Sequence, residues 1–238
     1  MNRSDRFLTP RELANRFPKN GTDWYRVLNK ADEDRAEIWI YDEIGSWGKT
    51  ADEFQRELKE LTVGRIDLHL ASPGGDILDG IAIYNALRTH SAYVSVRVDS
   101  MAASIASVIA QAGDERIMVS GSQMMVHKAW MIVIGDDEEM DKAGEFLRKQ
   151  NDIIAGIYAE RAGGTGKKAH FLKLMAAETW MDAEETVGEG LADRVEKPKP
   201  KEAPEDASTV STDDNDDDNE EEAAAKWVDD FLASARIS

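Results

Sequence analysis

The chain has 238 residues, a formal net charge of −18 and 42% hydrophobic residues, enough for one folded domain with appendages. It has no cysteine, which excludes disulfides, thiolate-bound metal and a thiol nucleophile. No basic cluster invites nucleic acid and no apolar run approaches the ~20 residues of a membrane span; the opening MNRSDRFLTPRELANRF lacks the apolar core of a secretory signal, so a cytoplasmic setting is expected.

Residues 1–23 form an N-terminal extension, in which Thr9-Pro10-Arg11-Glu12 is a capping box opening a short helix. Residues 24–28 and 36–40 read as strands. A second capping box, Thr50-Ala51-Asp52-Glu53, predicts a helix to about Leu61. Residues 65–71 alternate through Ile66, Leu68 and Leu70 as a strand, run into Ser72-Pro73-Gly74-Gly75, and lead to a helix over 77–88. Strand 92–98, helix 104–112 and strands 115–119 and 123–127 follow. This alternation predicts an α/β domain whose parallel strands are covered by helices.

The run 129–134 is strand-like, and 136–162 is a long amphipathic helix with Met140, Ala143, Phe146, Leu147, Ile153, Ile154 and Ile157 near helical spacing. Gly163-Gly164-Thr165-Gly166 breaks the chain before a helix over 168–177. A helix over 183–189 and a strand over 191–195 complete a domain spanning 24–196. Residues 197–222 are almost without apolar side chains and predict a disordered acidic linker. From 197 to the end, 13 Asp/Glu face 5 Lys/Arg. The closing segment, 223–238, sets Trp227, Val228, Phe231 and Leu232 on one helical face.

Three stretches carry the chemistry: Ser72-Pro73-Gly74-Gly75, Met101-Ala102-Ala103-Ser104 and Met125-Val126-His127. A hydroxyl nucleophile needs a base for its proton and backbone N–H groups for the oxyanion, and these stretches offer one of each. Ser104 opens a helix, where unpaired amides favour negative charge, and the Ile105 N–H is next in line. Taken alone, Ser104 reads first as an N-cap, and Ser100 and Ser107 share its neighbourhood. His127, His69, His90 and His170 are the four histidines, and any strand-end histidine is more often structural than catalytic. Lys128 raises a Ser–Lys alternative, but adjacent strand residues point to opposite faces.

In order and spacing the three stretches resemble the Clp protease proteolytic subunit family (peptidase S14), whose signatures run S-P-G-G, A-A-S and M-I-H. The resemblance implies a spiral of strand–strand–helix units with a protruding handle, a strand plus long helix at about 129–162. It implies Ser104 as nucleophile, His127 as general base, and Gly75 and Ile105 N–H groups as the oxyanion hole. Gly74, Ala129 and Trp130 would contact the substrate strand. Counting back from Glu185-Thr186-Val187-Gly188-Glu189-Gly190-Leu191-Ala192-Asp193 puts Glu178 at the acid position, a glutamate where the family has aspartate, with Asp182 the fallback. Ala71 stands where the family usually has asparagine.

The chain resembles most the tailed-phage head maturation branch, through Trp24-Tyr25-Arg26-Val27-Leu28-Asn29, His127-Lys128-Ala129-Trp130 and Glu178-Thr179-Trp180. That likeness implies an ATP-independent serine endopeptidase, without cofactor or metal, cutting scaffold or capsid protein in the host cytoplasm as a homo-oligomeric ring. The rivals are a housekeeping Clp-type subunit partnered by an unfoldase ATPase, a non-catalytic ring-forming scaffold module, and a crotonase-type acyl-CoA enzyme. No direct contact with nucleic acid or membrane is expected.

Overall fold

Eight strands form one sheet in the computed structural model, which describes residues 23–45 and 50–197. The expected helix after Thr9, nearly all of the N-terminal extension, the acidic linker and the 223–238 segment lie outside the described residues.

β1 (Tyr25–Lys30) runs antiparallel to β2 (Arg35–Ile40), and β3 (Arg65–Ser72), β4 (Tyr93–Ala103) and β5 (Glu115–Val119) add in parallel. β6 (Gln123–Val126) lies parallel to the end of β4, β7 (Thr179–Met181) antiparallel to β6, and β8 (Arg194–Glu196) parallel to β5. The alternation in β2 and β3 sends Ile38, Ile40, Ile66, Leu68 and Leu70 into the core, each fully buried. Trp24 and Tyr25 seal the first edge against Phe54, with ring centroids 6.0 and 5.1 Å away.

β4 decides where the site falls. It keeps step with β3 from Arg65↔Tyr93 to Leu70↔Val98; then Ser72 pairs with Ala102, so β4 carries two extra residues at a bulge. The bend divides the strand: residues 95–98 pair with β5, and residues 101–103 pair with β6. The turns leaving β3, β4 and β6 therefore meet at one carboxyl end of the parallel sheet, where such sheets place ligands.

α1 (Ala51–Glu60) begins at the expected capping box, with Thr50 Oγ1 accepting from Glu53 N and the Glu53 carboxylate accepting from Thr50 N. α2 (Ile77–Thr89) is capped by Asp76. α3 (Ile105–Ala110) is buried at all six positions. α4 (Asp137–Arg161) buries little of its first half and packs through Gln150, Ile154, Ala155, Tyr158 and Ala159, so its N-terminal half projects. α5 (Lys168–Ala176) and α6 (Ala183–Gly188) complete the domain, and none of these helices is long and apolar enough to cross a membrane.

Two expectations need correction. Residues 129–134 form no ladder with any described residue: a strand exists only with a partner, and none is offered there. The strand expected over 191–195 is β8, shifted to Arg194–Glu196, because Leu191 and Ala192 are buried in a turn closed by Leu191 N donating to Thr186 O at 3.0 Å.

The open face of the sheet is charged. At the bend, Asp99 accepts from Tyr41 Oη (2.6 Å) and Arg97 Nε (2.6 Å) and lies 2.9 Å from His69 Nδ1. Burial alone would raise the Asp99 pKa, but the bonds from His69, Tyr41 and Arg97 hold it down at about 2. Its stabilisation is present above the ordinary 3.8 and is lost as pH falls from there through about 2. Asp99→Asn is expected to lower stability at pH 7 by on the order of 2 kcal/mol, with the deficit gone near pH 2. Urea unfolding at the two pH values checks this.

Candidate active site

Ser104 stands at the junction of β4 and α3 with φ 56° and ψ −128°, a backbone that non-glycine residues rarely adopt. Three bonds hold it there: Ser104 N donates to Met125 O (3.0 Å), and Ser104 O accepts from both Ser107 N (3.0 Å) and Ser107 Oγ (2.5 Å). Although Ser104 occupies the N-cap position of α3, its hydroxyl caps nothing. Ser104 Oγ instead lies 2.6 Å from His127 Nε2. The serine that reads first as an N-cap in the sequence thus makes no side-chain cap bond and faces a histidine instead.

His127 follows the last residue of β6 and is half-buried. Burial pushes its pKa below the ordinary 6.5, and the charge of Glu178 pulls partly back. The imidazole is therefore neutral, able to take a proton, from neutral pH down to below 6.5. The other histidines are engaged elsewhere: His69 with Asp99 (2.9 Å), His90 Nδ1 accepting from Ala92 N (3.1 Å), and His170 with Glu189 (2.7 Å). Lys128 is exposed, with its backbone N–H donated to Met175 O (3.1 Å). Of the neighbouring serines, Ser107 is fully buried with its hydroxyl already bonded, and Ser100 is exposed on β4.

The pairing of β6 with β7 brings Glu178 toward His127. The register Met124↔Met181, Met125↔Trp180, Val126↔Thr179 continues, one step on, to His127 opposite Glu178. Glu178 has φ 51°, the left-handed turn that starts β7, with its N–H on Met175 O (3.3 Å). It is exposed and acts on His127 through its charge. Asp182 is committed to a helix terminus, where its carboxylate caps α6 by accepting from Glu185 N at 2.8 Å. Among the described residues, β7 is the strand that the sequence pattern does not announce.

Around Gly74 and Gly75 the chain comes against both Ile44 and Ser104. Ile44 N donates to Gly74 O (2.7 Å) and Asp76 N to Ile44 O (3.0 Å). A parallel bridge made by those flanking groups turns the Gly75 N–H away from Ile44. A methyl on Gly75, at φ 150°, would lie 2.1 Å from Ile44 O. One on Gly74, at φ 105°, would lie 2.6 Å from Ser104 Cβ and 3.2 Å from Ile105 N. Ile105 is the first residue of α3, so its N–H has no partner in the preceding turn. Gly80 completes the approach by letting α2 close on Ile105, whose Cγ1 would be 2.1 Å from an added methyl.

Beyond His127, the segment 129–134 alternates exposed Trp130, Ile132 and Ile134 with partly covered Met131 and Val133. Ala129 is the fixed point, its N–H donated to Asn151 Oδ1 at 2.8 Å.

A family model described as Clp protease matches residues 19–199. ATP-dependent Clp protease proteolytic subunits from Streptococcus pyogenes (serotype M5, strain Manfredo) and Streptococcus equi subsp. equi (strain 4047) are each 34% identical over 134 residues, covering 55% of this chain and 67% of theirs. A solved structure of a ClpP1 mutant from Listeria monocytogenes superposes with a TM-score of 0.61 at 19% identity, covering 71% of this chain and 95% of that one. That last likeness is one of fold.

If Glu178 supports His127, Glu178→Gln should lower kcat roughly 10–100-fold. Removing its charge also removes the upward pull on His127, so the acid limb of kcat/KM should move to still lower pH. Asp182→Asn should leave activity near that of the parent, because asparagine also caps helices. A pH–rate profile of both variants decides the matter; a harsher loss in Asp182→Asn would transfer the role.

Proposed function

Because the chain belongs to the Clp protease family, we propose that it is a serine endopeptidase in which Ser104 is the nucleophile and His127 the base. The observation that carries this reading is the 2.6 Å contact between Ser104 Oγ and His127 Nε2, made by a strained serine that caps nothing. Ser104 Oγ attacks the scissile carbonyl as His127 Nε2 takes its proton. The oxyanion is received by the N–H groups of Gly75 and Ile105. Collapse breaks the C–N bond while His127 returns the proton to the leaving amine, leaving an acyl-Ser104 ester. Water, deprotonated by His127, hydrolyses that ester and restores both residues. Glu178 steadies the imidazolium at each stage.

The substrate strand adds along residues 129–134, whose backbone is without a partner strand among the described residues, with Gly74, Ala129 and Trp130 as contacts. A homo-oligomeric ring is supported by exposed Trp130 (65%), Ile134 (61%), Met140 (46%) and Ile153 (47%), more apolar side chain on one projection than a monomer usually shows. The phage-type motifs around Trp24, His127 and Glu178 favour ATP-independent cutting of scaffold or capsid protein during head maturation. A second reading, a proteolytic subunit fed by an unfoldase ATPase, is favoured by the streptococcal relatives. An intact Ser104–His127 contact weighs against a non-catalytic scaffold module.

Casein hydrolysis by the purified chain separates the two. The first reading expects cleavage that ATP does not stimulate and a chelator does not inhibit. Degradation that starts only when an unfoldase ATPase is added would establish the second.

A further inference from the structure

α4 touches the site at two points. Asn151 Oδ1 accepts from the N–H of Ala129, two residues beyond His127, at 2.8 Å. Seven residues further along α4, Tyr158 Oη lies 2.7 Å from Ser107 Oγ. Residues seven apart fall on one face of a helix, about 10 Å from each other. The two contacts therefore reach the chain just after the base and the nucleophile's helix from a single rigid element.

Proton inventory fixes the direction of the second contact. Ser104 O can only accept, so Ser107 gives its one hydroxyl proton to it, at 2.5 Å. Tyr158 must then donate to Ser107. Tyr158 and Ser107 are both buried, and in the chain from Tyr158 Oη–H through Ser107 Oγ–H to Ser104 O successive donors polarise one another. It ends on the carbonyl of the residue with the strained φ of 56°, and strain of that kind persists only where the surroundings over-determine it. On the other side, Ala129 N is tied to α4 while Lys128 N is tied to Met175 O at 3.1 Å, so the residues just after His127 are held twice.

We infer that Asn151 and Tyr158 are positioning residues for the peptidase reaction: α4 holds the Ser104 carbonyl through Tyr158 and the chain after His127 through Asn151, and so sets the separation of nucleophile and base. The inference rests on the serine-peptidase reading above. Neither side chain touches the reacting atoms. Each acts on kcat through geometry, since a misplacement of about 1 Å costs up to 10²-fold.

The test uses the full-length protein and three variants, Tyr158→Phe, Asn151→Ala and Asn151→Asp. For each, kcat and KM are measured on a small chromogenic peptide, together with the labelling rate of Ser104 by a fluorophosphonate and the thermal midpoint. Tyr158→Phe and Asn151→Ala are expected to lower kcat and labelling roughly 10–100-fold with KM within about twofold. Asn151→Asp keeps an acceptor for the Ala129 N–H and is expected to restore kcat to within about threefold of the parent. Variants that lose thermal stability yet label Ser104 at the parental rate would overturn the inference, as would an Asn151→Asp variant no better than Asn151→Ala. A parent protein that is not labelled at Ser104 would instead defeat the peptidase reading itself.

Discussion

Replacing Ser104 with alanine is expected to lower kcat/KM by on the order of 10⁴–10⁶, leaving only what oxyanion donors and binding supply. The fold should not suffer. Ser104 Oγ caps no helix amide, and the three backbone bonds of the residue, to Met125 O and from Ser107 N and Ser107 Oγ, survive the change. Its hydroxyl is bonded to His127, so the thermal midpoint should stay level or rise, as removal of strained functional groups often allows. Loss of activity together with a large loss of stability would point to a structural serine. Peptide hydrolysis and a melting curve on the same sample distinguish the outcomes.

Gly74→Ala is expected to have the next largest effect, a loss of about 10²–10³ in kcat. The new methyl would stand 2.6 Å from Ser104 Cβ, 2.9 Å from Ala103 O and 3.2 Å from Ile105 N, so it enters the space where the tetrahedral centre and its oxyanion must sit. Ala103 O and Ile105 N are backbone atoms and cannot swing aside. Gly121→Ala is the matched control: Gly121 also has a positive φ, of 90°, but an added methyl there meets nothing within 4 Å. It should therefore melt somewhat earlier, by the strain of a left-handed residue, and retain full activity. Equal kinetic losses in both variants would mean that backbone strain, rather than the approach of Gly74 to Ser104, sets the rate.

Much of the parallel sheet was legible because local pattern and tertiary outcome agree. Ile66, Leu68 and Leu70 alternate in sequence and are fully buried in β3; Thr50 and Glu53 form the capping box their spacing predicts. Where pattern is silent, the sequence was silent too. β7 is three residues long and starts with a threonine bonded back to Leu174 O, so it presents no alternation to read. Residues 129–134 do alternate, yet alternation reports a face and not a partner, and no ladder forms there among the described residues. The choice between Glu178 and Asp182 could be framed from sequence by counting, but their separation depends on the β6–β7 register and on the α6 cap. Asn151 and Tyr158 gave no signal at all. They sit in a helix whose apolar periodicity explains most of its residues, and their partners lie 22 and 51 positions away. The strained φ of Ser104 is likewise invisible in the sequence, since only glycine and asparagine advertise such positions.

The proposed chemistry turns on His127 activating Ser104 as a nucleophile. The decisive experiment reacts the full-length protein with a fluorophosphonate and maps the adduct by mass spectrometry, with His127→Ala alongside. One covalent adduct is expected, on Ser104, formed at a rate that falls with protonation of a group of pKa below 6.5 and that is almost abolished in His127→Ala. An adduct on Ser100 or Ser107, or labelling of Ser104 that is as fast without His127, would contradict that activation.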